Sequence, residues 1–289
     1  MPVEAIHISA FLDSLAASKA PAALRTGELR SLGRLGSVVI DFPYFERFPL
    51  GVLRYVMHRP TAQSAWGEQL HKGNPVAAAT RMLERARSTG SLRVLALALG
   101  FVSHLAVDRA LHPLVNRMAR ERARRLGGDP AHHHTEVEKF HSVLFHEERL
   151  GFDFMGKPAL REHIGLDAEQ VHRDAELFSA LEESFSAVAG TPPGRLAWQR
   201  WSRGYRQYVW LVSSAVGTRI VPEDVKRRVH GELYRGAWGA FVDAYGVAVA
   251  RSRDAIDAAL AVVEASESDV LQARDGFSAA LPAGPIDLG

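Results

Sequence analysis

The chain has 289 residues, 47% of them apolar and 24% charged, with a net charge of +2 and no cysteine. This composition predicts a soluble globular protein with a large core and gives no support to an extended nucleic-acid surface. It excludes disulfides, thiolate metal sites and cysteine nucleophiles, so any metal must be held by His, Asp and Glu.

The start of the chain, MPVEAIHISAFLDSLAAS, lacks a basic n-region and is interrupted by Glu4, His7 and Asp13. It does not have the form of a signal peptide, and no run reads as a transmembrane segment, so a cytoplasmic chain is expected. Residues 5–19 have helical periodicity, with Ile6, Phe11, Leu12 and Leu15 on one side. His7 lies near the start of that helix and, taken alone, reads as a surface residue. A second helix is expected over 22–35. The run GSVVIDFPYFERFP then follows, broken by Pro43 and Pro49. Asp41, two residues before Pro43, falls where helix is disfavoured; it is either a turn former or a ligand presented by a loop.

Helical pattern resumes at residue 50 and reaches His58 before Pro60. Further helices are expected over 61–71 and over 75–89, the second opened by Pro75 and closed by Gly90. Both His58 and His71 are candidate ligands, and the pattern does not choose between them.

The most informative stretch is ALALGFVSHLAVDRALHPLVN, residues 96–116. His104, Asp108 and His112 recur every four residues in an otherwise apolar helix. A four-residue step overshoots one turn by only about 40°, so the three side chains form a slowly drifting row on one face. A single buried His or Asp is usually satisfied by an ordinary hydrogen bond. Two imidazoles and a carboxylate in register are costly in such a helix unless something compensates them, and a metal ion does so. The helix is expected to start near 91, to be subject to a kink at Pro113, and to end at Gly127 and Gly128. The basic run RMARERARR, residues 117–125, reads as its solvated continuation.

In HHHTEVEKFHSVLFHEE, residues 132–148, His134 and Glu138 are one turn apart, as are His132 and Glu136, and either pair suits an ion. His141 and His146 are read as solvent-exposed. Further on, helices are expected over 168–188, 193–218 and 222–265. Trp198 to Trp210 form an aromatic and basic stretch that reads as core, although Arg203, Arg206 and Tyr208 could line a pocket for an anion. With almost no strand pattern, the fold class is all-α: a single helical bundle domain over 1–289, with a metal-ligand portion at about 1–148, a helical portion at about 149–275 and a tail at 276–289. No GxGxxG, Walker motif or GxSxG elbow is present.

The ordered set of His7, Asp41 in GSVVIDFP, His58, LGFVSHLAVDRALHP and the His134-x-x-x-Glu138-x-Phe140 motif resembles the zinc-dependent phospholipase C family, which is similar in fold to the zinc-dependent single-strand nucleases. The matching positions span roughly the first half of the chain. The resemblance implies a metal cluster between helices that cleaves phosphate esters. By position, Asp41, His58, His104 and Asp108 would hold one zinc, with Asp108 bridging to a second; His112, His134 and Glu138 would hold another, and His7 the remaining ion. The family also uses a processed N-terminal Trp at that last ion, which this sequence lacks, so Zn2+ in two or three ions is expected. Asp41 would also serve as catalytic general base. The expectation is therefore a phospholipase C-like zinc phosphoesterase, in which closely spaced ions acidify a shared water and neutralise phosphoryl charge. Its substrate would be a small phosphorylated or phospholipid-like molecule, with no stable nucleic-acid partner. The alternatives are another metal-dependent enzyme on the same scaffold, nuclease-like or non-hydrolytic, and a non-catalytic helical metal-binding protein.

Overall fold

The computed structural model describes residues 3–48, 50–51, 64–220, 224, 226–227, 230–231 and 238–286, and among them the chain is all-α, with no strand. In chain order, α1 (Val3–Ala17) is followed by a 3-10 turn (Ala22–Arg25), α2 (Gly27–Val39) and a second 3-10 turn (Phe42–Phe45). Then come α3 (Ala65–Lys72), α4 (Pro75–Thr89), α5 (Leu92–Leu126) and α6 (Pro130–Leu150). The second half carries α7 (Pro158–Ile164), α8 (Gln170–Arg173), α9 (Ala175–Ala189), α10 (Arg195–Val212), α11 (Gly217–Ile220), α12 (Trp238–Glu264) and α13 (Val270–Ala280).

The central stretch forms α5, 35 residues long, and everything else is arranged round it. Ser91 starts it by accepting the Val94 N–H on its side chain, and Gly127 ends it at φ 75°, a left-handed value suited to glycine. Pro113 sits inside it without ending it. One window of α5 is long and apolar enough to cross a membrane by composition, but 89% of that window is buried within the fold. It is covered by α2 on one side and α12 on another, with α4 and α6 completing the jacket. Against α2 the backbones almost touch. A Cβ added at Gly100 would meet the Gly33 carbonyl oxygen at 1.9 Å, and one at Gly36 would meet the Leu97 carbonyl oxygen at 2.0 Å. Only glycine permits that approach.

Several boundaries differ from the pattern of the sequence. The helix expected over 22–35 divides, and its second part runs on through Val38 and Val39, because burial against α5 outweighs their weak helix preference. The helix expected over 168–188 breaks at Asp174, which turns extended and caps α9 through the N–H groups of Glu176 and Leu177. The helix expected over 193–218 ends at Val212. Of the one expected over 222–265, the described part is α12. The first residues of the expected tail belong to α13, and of its described residues 281–286 are irregular. Trp198, Trp201, Tyr205 and Tyr208 on α10 are fully buried. These four aromatics are thus core, with Tyr208 donating its hydroxyl to Glu4 at 2.6 Å, whereas Trp210 at the end of the stretch is exposed.

Candidate metal centre

The row of His104, Asp108 and His112 on α5 lies inside the protein, where α1, α2 and α6 pack against that helix. Asp108 is its hub. One carboxylate oxygen is 3.3 Å from His7 Nε2 and 3.5 Å from His112 Nε2; the other is 3.0 Å from His104 Nε2. On one side the row continues from His104 to Asp41 Oδ1 at 3.9 Å, and from Asp41 to His71 Nε2 at 3.1 Å. On the other it continues from His112 to Glu138 Oε1 at 3.3 Å, which is 3.0 Å from His134 Nε2. Three sets emerge whose ligand atoms lie within 4.8 Å of one another: His7, His104 and Asp108; Asp41, His71 and His104; His112, His134 and Glu138. Each can hold a metal ion.

The hydrogen bonds behind the imidazoles test whether a cation fits. His104 Nδ1 lies 2.8 Å from the Ser37 carbonyl, and His71 Nδ1 lies 2.9 Å from the Gly67 carbonyl. A carbonyl can only accept, so Nδ1 carries the proton and donates. His134 Nδ1 is likewise held, 2.6 Å from Asn116 Oδ1. A neutral imidazole so fixed turns the lone pair of Nε2 forward, here onto carboxylate oxygens. Two lone pairs face each other stably only with positive charge between them, as in the carbonyl–histidine–metal arrangement. His104 Nε2 is buried and, although Asp108 Oδ2 is 3.0 Å away, has no aligned hydrogen-bond partner. The donor set fits a cation.

The electrostatics agree. Burial opposes ionisation of Asp108, yet His104, His112 and His7 outweigh it and hold the carboxyl well below its usual range. Glu138 is lowered against burial by His134 and His112, and Asp41 against burial mainly by His104. Three ionised carboxylates therefore converge in a largely dry site. Burial also disfavours the His104 cation, but Asp108 and Asp41 outweigh it and raise the pKa to about 9. His7 stacks on that ring at 3.9 Å, and burial followed by the His104 charge lowers its pKa to about 4. Without a metal, the centre keeps a proton where it lacks a cation. Beside it is a cavity of about 30 Å³, walled by His7, Asp108, His112 and Glu138 and closed by Leu111 and Phe241. A water needs about 10–15 Å³ by the same measure, so roughly two water-sized ligands have room there. A larger surface cleft of about 370 Å³ shares none of these residues, and its arginines are paired to Glu84, Glu183 and Glu267.

The fold thus brings together His7, Asp41, His104, Asp108, His112, His134 and Glu138. Asp41 is presented by a turn: it follows α2, and its carbonyl accepts the Tyr44 N–H. His58 lies outside the described residues, and His71, at the end of α3, stands beside Asp41. His132 is exposed, 3.7 Å from Glu136, and takes no part.

The exposed reading of His141 and His146 is corrected, since both are buried. They sit on the inner face of α6 because Phe140, Val143, Leu144 and Phe145 around them are core. His141 stacks on Phe241 at 4.3 Å and lines the cavity. His146 belongs to a second cluster. Its Nε2 is 2.8 Å from Ser9 Oγ, its Nδ1 donates to the Ser142 carbonyl at 2.6 Å, and its ring stacks on Phe154. His163 Nε2 lies 3.1 Å from both Ser9 Oγ and the Ala5 carbonyl. The anion pocket suggested for Arg203, Arg206 and Tyr208 is not formed: the two arginines are exposed, Arg206 paired to Glu169, and Tyr208 is buried. Sequence reasoning also passed over the Ser37 carbonyl and Asn116, for which side-chain chemistry alone gives no signal.

Compared with protein-family models, with curated proteins and with solved structures, the chain matches none.

Proposed function

We propose that the protein is a zinc-dependent phosphoesterase of phospholipase C-like type, hydrolysing a phosphodiester or phosphomonoester in a small phosphorylated or phospholipid-like substrate. The observation that carries this reading is the linkage of the three ligand sets through His104 and Asp108. A structural ion is closed by four protein ligands, whereas among the described residues each set supplies three, and a cavity with room for water lies beside Asp108 and Glu138. Imidazole-rich sets favour zinc over magnesium or calcium, which prefer oxygen. Zinc over iron or manganese follows from the sequence resemblance.

In this reading His7, Asp41, His71, His104, Asp108, His112, His134 and Glu138 hold the ions. Zinc bound there supplies Lewis acidity, acidifying water and offsetting phosphoryl charge. The chain's own part is to fix the imidazoles through Ser37, Gly67 and Asn116 and to exclude bulk water. Asp41, ionised and with 16% of its side chain exposed, accepts a proton at its carboxylate.

The test is elemental mass spectrometry on untagged full-length protein purified without chelator, followed by assays on bis(p-nitrophenyl) phosphate and p-nitrophenyl phosphate. Two or three zinc ions per chain, with hydrolysis lost to chelation and restored by zinc, are expected. A chain that neither holds nor regains metal sinks the centre. A loaded chain inert to both esters keeps the centre and removes the hydrolysis.

A further inference from the structure

His71 rides on α3, a helix of eight residues. So short a helix has little stability of its own and depends on tertiary anchors. One of them comes from far along the sequence. The irregular segment after α13, Leu281-Pro282-Ala283-Gly284-Pro285-Ile286, runs across the end of α3 and the start of α4. The Ile286 N–H donates to the His71 carbonyl at 3.2 Å, and the Gly284 N–H donates to Asn74 Oδ1 at 3.3 Å. Asn74 holds the N-cap position of α4 but makes no capping bond with its side chain, which is turned to this segment instead. From α5, Arg109, the residue after Asp108, donates to the Gly284 carbonyl at 3.0 Å.

The segment is built for this course. Leu281 and Ile286 are buried anchors at its two ends. Gly284 takes φ 119°, which other residues rarely adopt, and Pro282 and Pro285 stiffen the backbone on either side. The His71 carbonyl is one of the last-turn carbonyls that a helix cannot satisfy internally, so the bond from Ile286 both satisfies it and pins the turn that carries the imidazole.

We infer that residues 281–286 are a positioning strap for His71, holding its imidazole against Asp41 and so setting zinc affinity at the Asp41, His71 and His104 set. This rests on the metal-centre reading above for its zinc arm, but its structural arm stands alone. Residues that orient metal-binding histidines from behind typically change affinity by about 10- to 100-fold when altered; the strap acts one step further back, through the backbone.

The test uses the full chain and Ile286→Pro, which removes the N–H, with Ile286→Val as the variant that keeps it. In chelator-treated protein, histidine-selective 15N NMR, assigned with His71→Gln, reads the His71 tautomer. The wild type and Ile286→Val should show a fixed Nδ1–H imidazole, and Ile286→Pro a shift toward the tautomer mixture of a free ring. An unchanged His71 signal in Ile286→Pro overturns the strap, whatever the metal content. Zinc titration forms the second arm: Ile286→Pro should bind its weakest ion about tenfold less tightly or lose it, and in a Glu138→Ala background the same loss should persist. Wild-type affinity in Ile286→Pro also overturns the inference, whereas a wild type that binds no zinc overturns the phosphoesterase reading and leaves the NMR arm to decide the strap.

Discussion

Two buried histidine clusters meet α1, and they are built to opposite ends. Around Asp108 and Asp41, the imidazoles of His104 and His71, whose Nδ1 protons are already donated to backbone carbonyls, turn Nε2 toward carboxylates. Around Ser9, His146 meets a hydroxyl and a backbone carbonyl at its two ring nitrogens, with no carboxylate there among the described residues. The first arrangement is left wanting a cation; the second is complete with neutral rings. Helical geometry keeps the two apart, since Ala5 and Ser9 share one face of α1 and His7 lies on nearly the opposite one. What makes a metal centre is therefore not the density of histidine but what the second ring nitrogen faces.

The sharpest way to break this contrast is to remove the hub. Asp108→Ala and His104→Ala should each lose at least one zinc per chain by elemental mass spectrometry, while His146→Ala keeps the wild-type content; equal loss in all three would erase the distinction. The second effect concerns pH. Burial lowers the pKa of His146 to about 4, below the ordinary 6.5, so the unfolded chain takes up the proton first as pH falls. Its contribution to stability is complete above about pH 6.5 and is lost between there and about pH 4, by roughly 3 kcal/mol. Denaturant melts of metal-free protein across that window should be flatter for His146→Gln than for the wild type. Third, zinc at about 100 times its Kd should stabilise the fold by about 2.7 kcal/mol, and chelation should lower Tm accordingly in the wild type and by less in Asp108→Ala. The smallest effect lies behind the first cluster. Gly100→Ala has no room against the Gly33 carbonyl, so α2 must shift from α5 and carry the Ser37 carbonyl away from His104. A cost of about 1–3 kcal/mol is expected from chemical melts, together with weaker zinc binding.

The helical class and the α5 row were legible because their signals are periodic and local. The four-residue spacing of His104, Asp108 and His112 states a face, and His134 with Glu138 states another. Asp41 could be read only as turn former or ligand, since what decides is the packing of α2 on α5. His71 could not be told from His58 because each is one imidazole near a helix end. The burial of His146 follows in part from α1 closing over α6, a contact made across more than 130 residues of chain that no local pattern carries. The Ser37 carbonyl, though essential to the tautomer of His104, is backbone and has no letter of its own.

Three of the candidate ligands sit on one uninterrupted helix, and this makes α5 a ruler. Each four-residue step advances about 6 Å and turns only slightly past a full revolution, so the separation of the sites on either side of Asp108 is fixed by the pitch of the helix. Deleting one residue such as Ala110 would swing His112 through about 100° and take it off the row, leaving the composition of the centre intact but its order destroyed. The same deletion at Gly127 or Gly128 would fall outside the graduated part. Length changes between 104 and 112 would thus break the row, and the same rotation would carry Leu114, Val115 and Met118 out of the core.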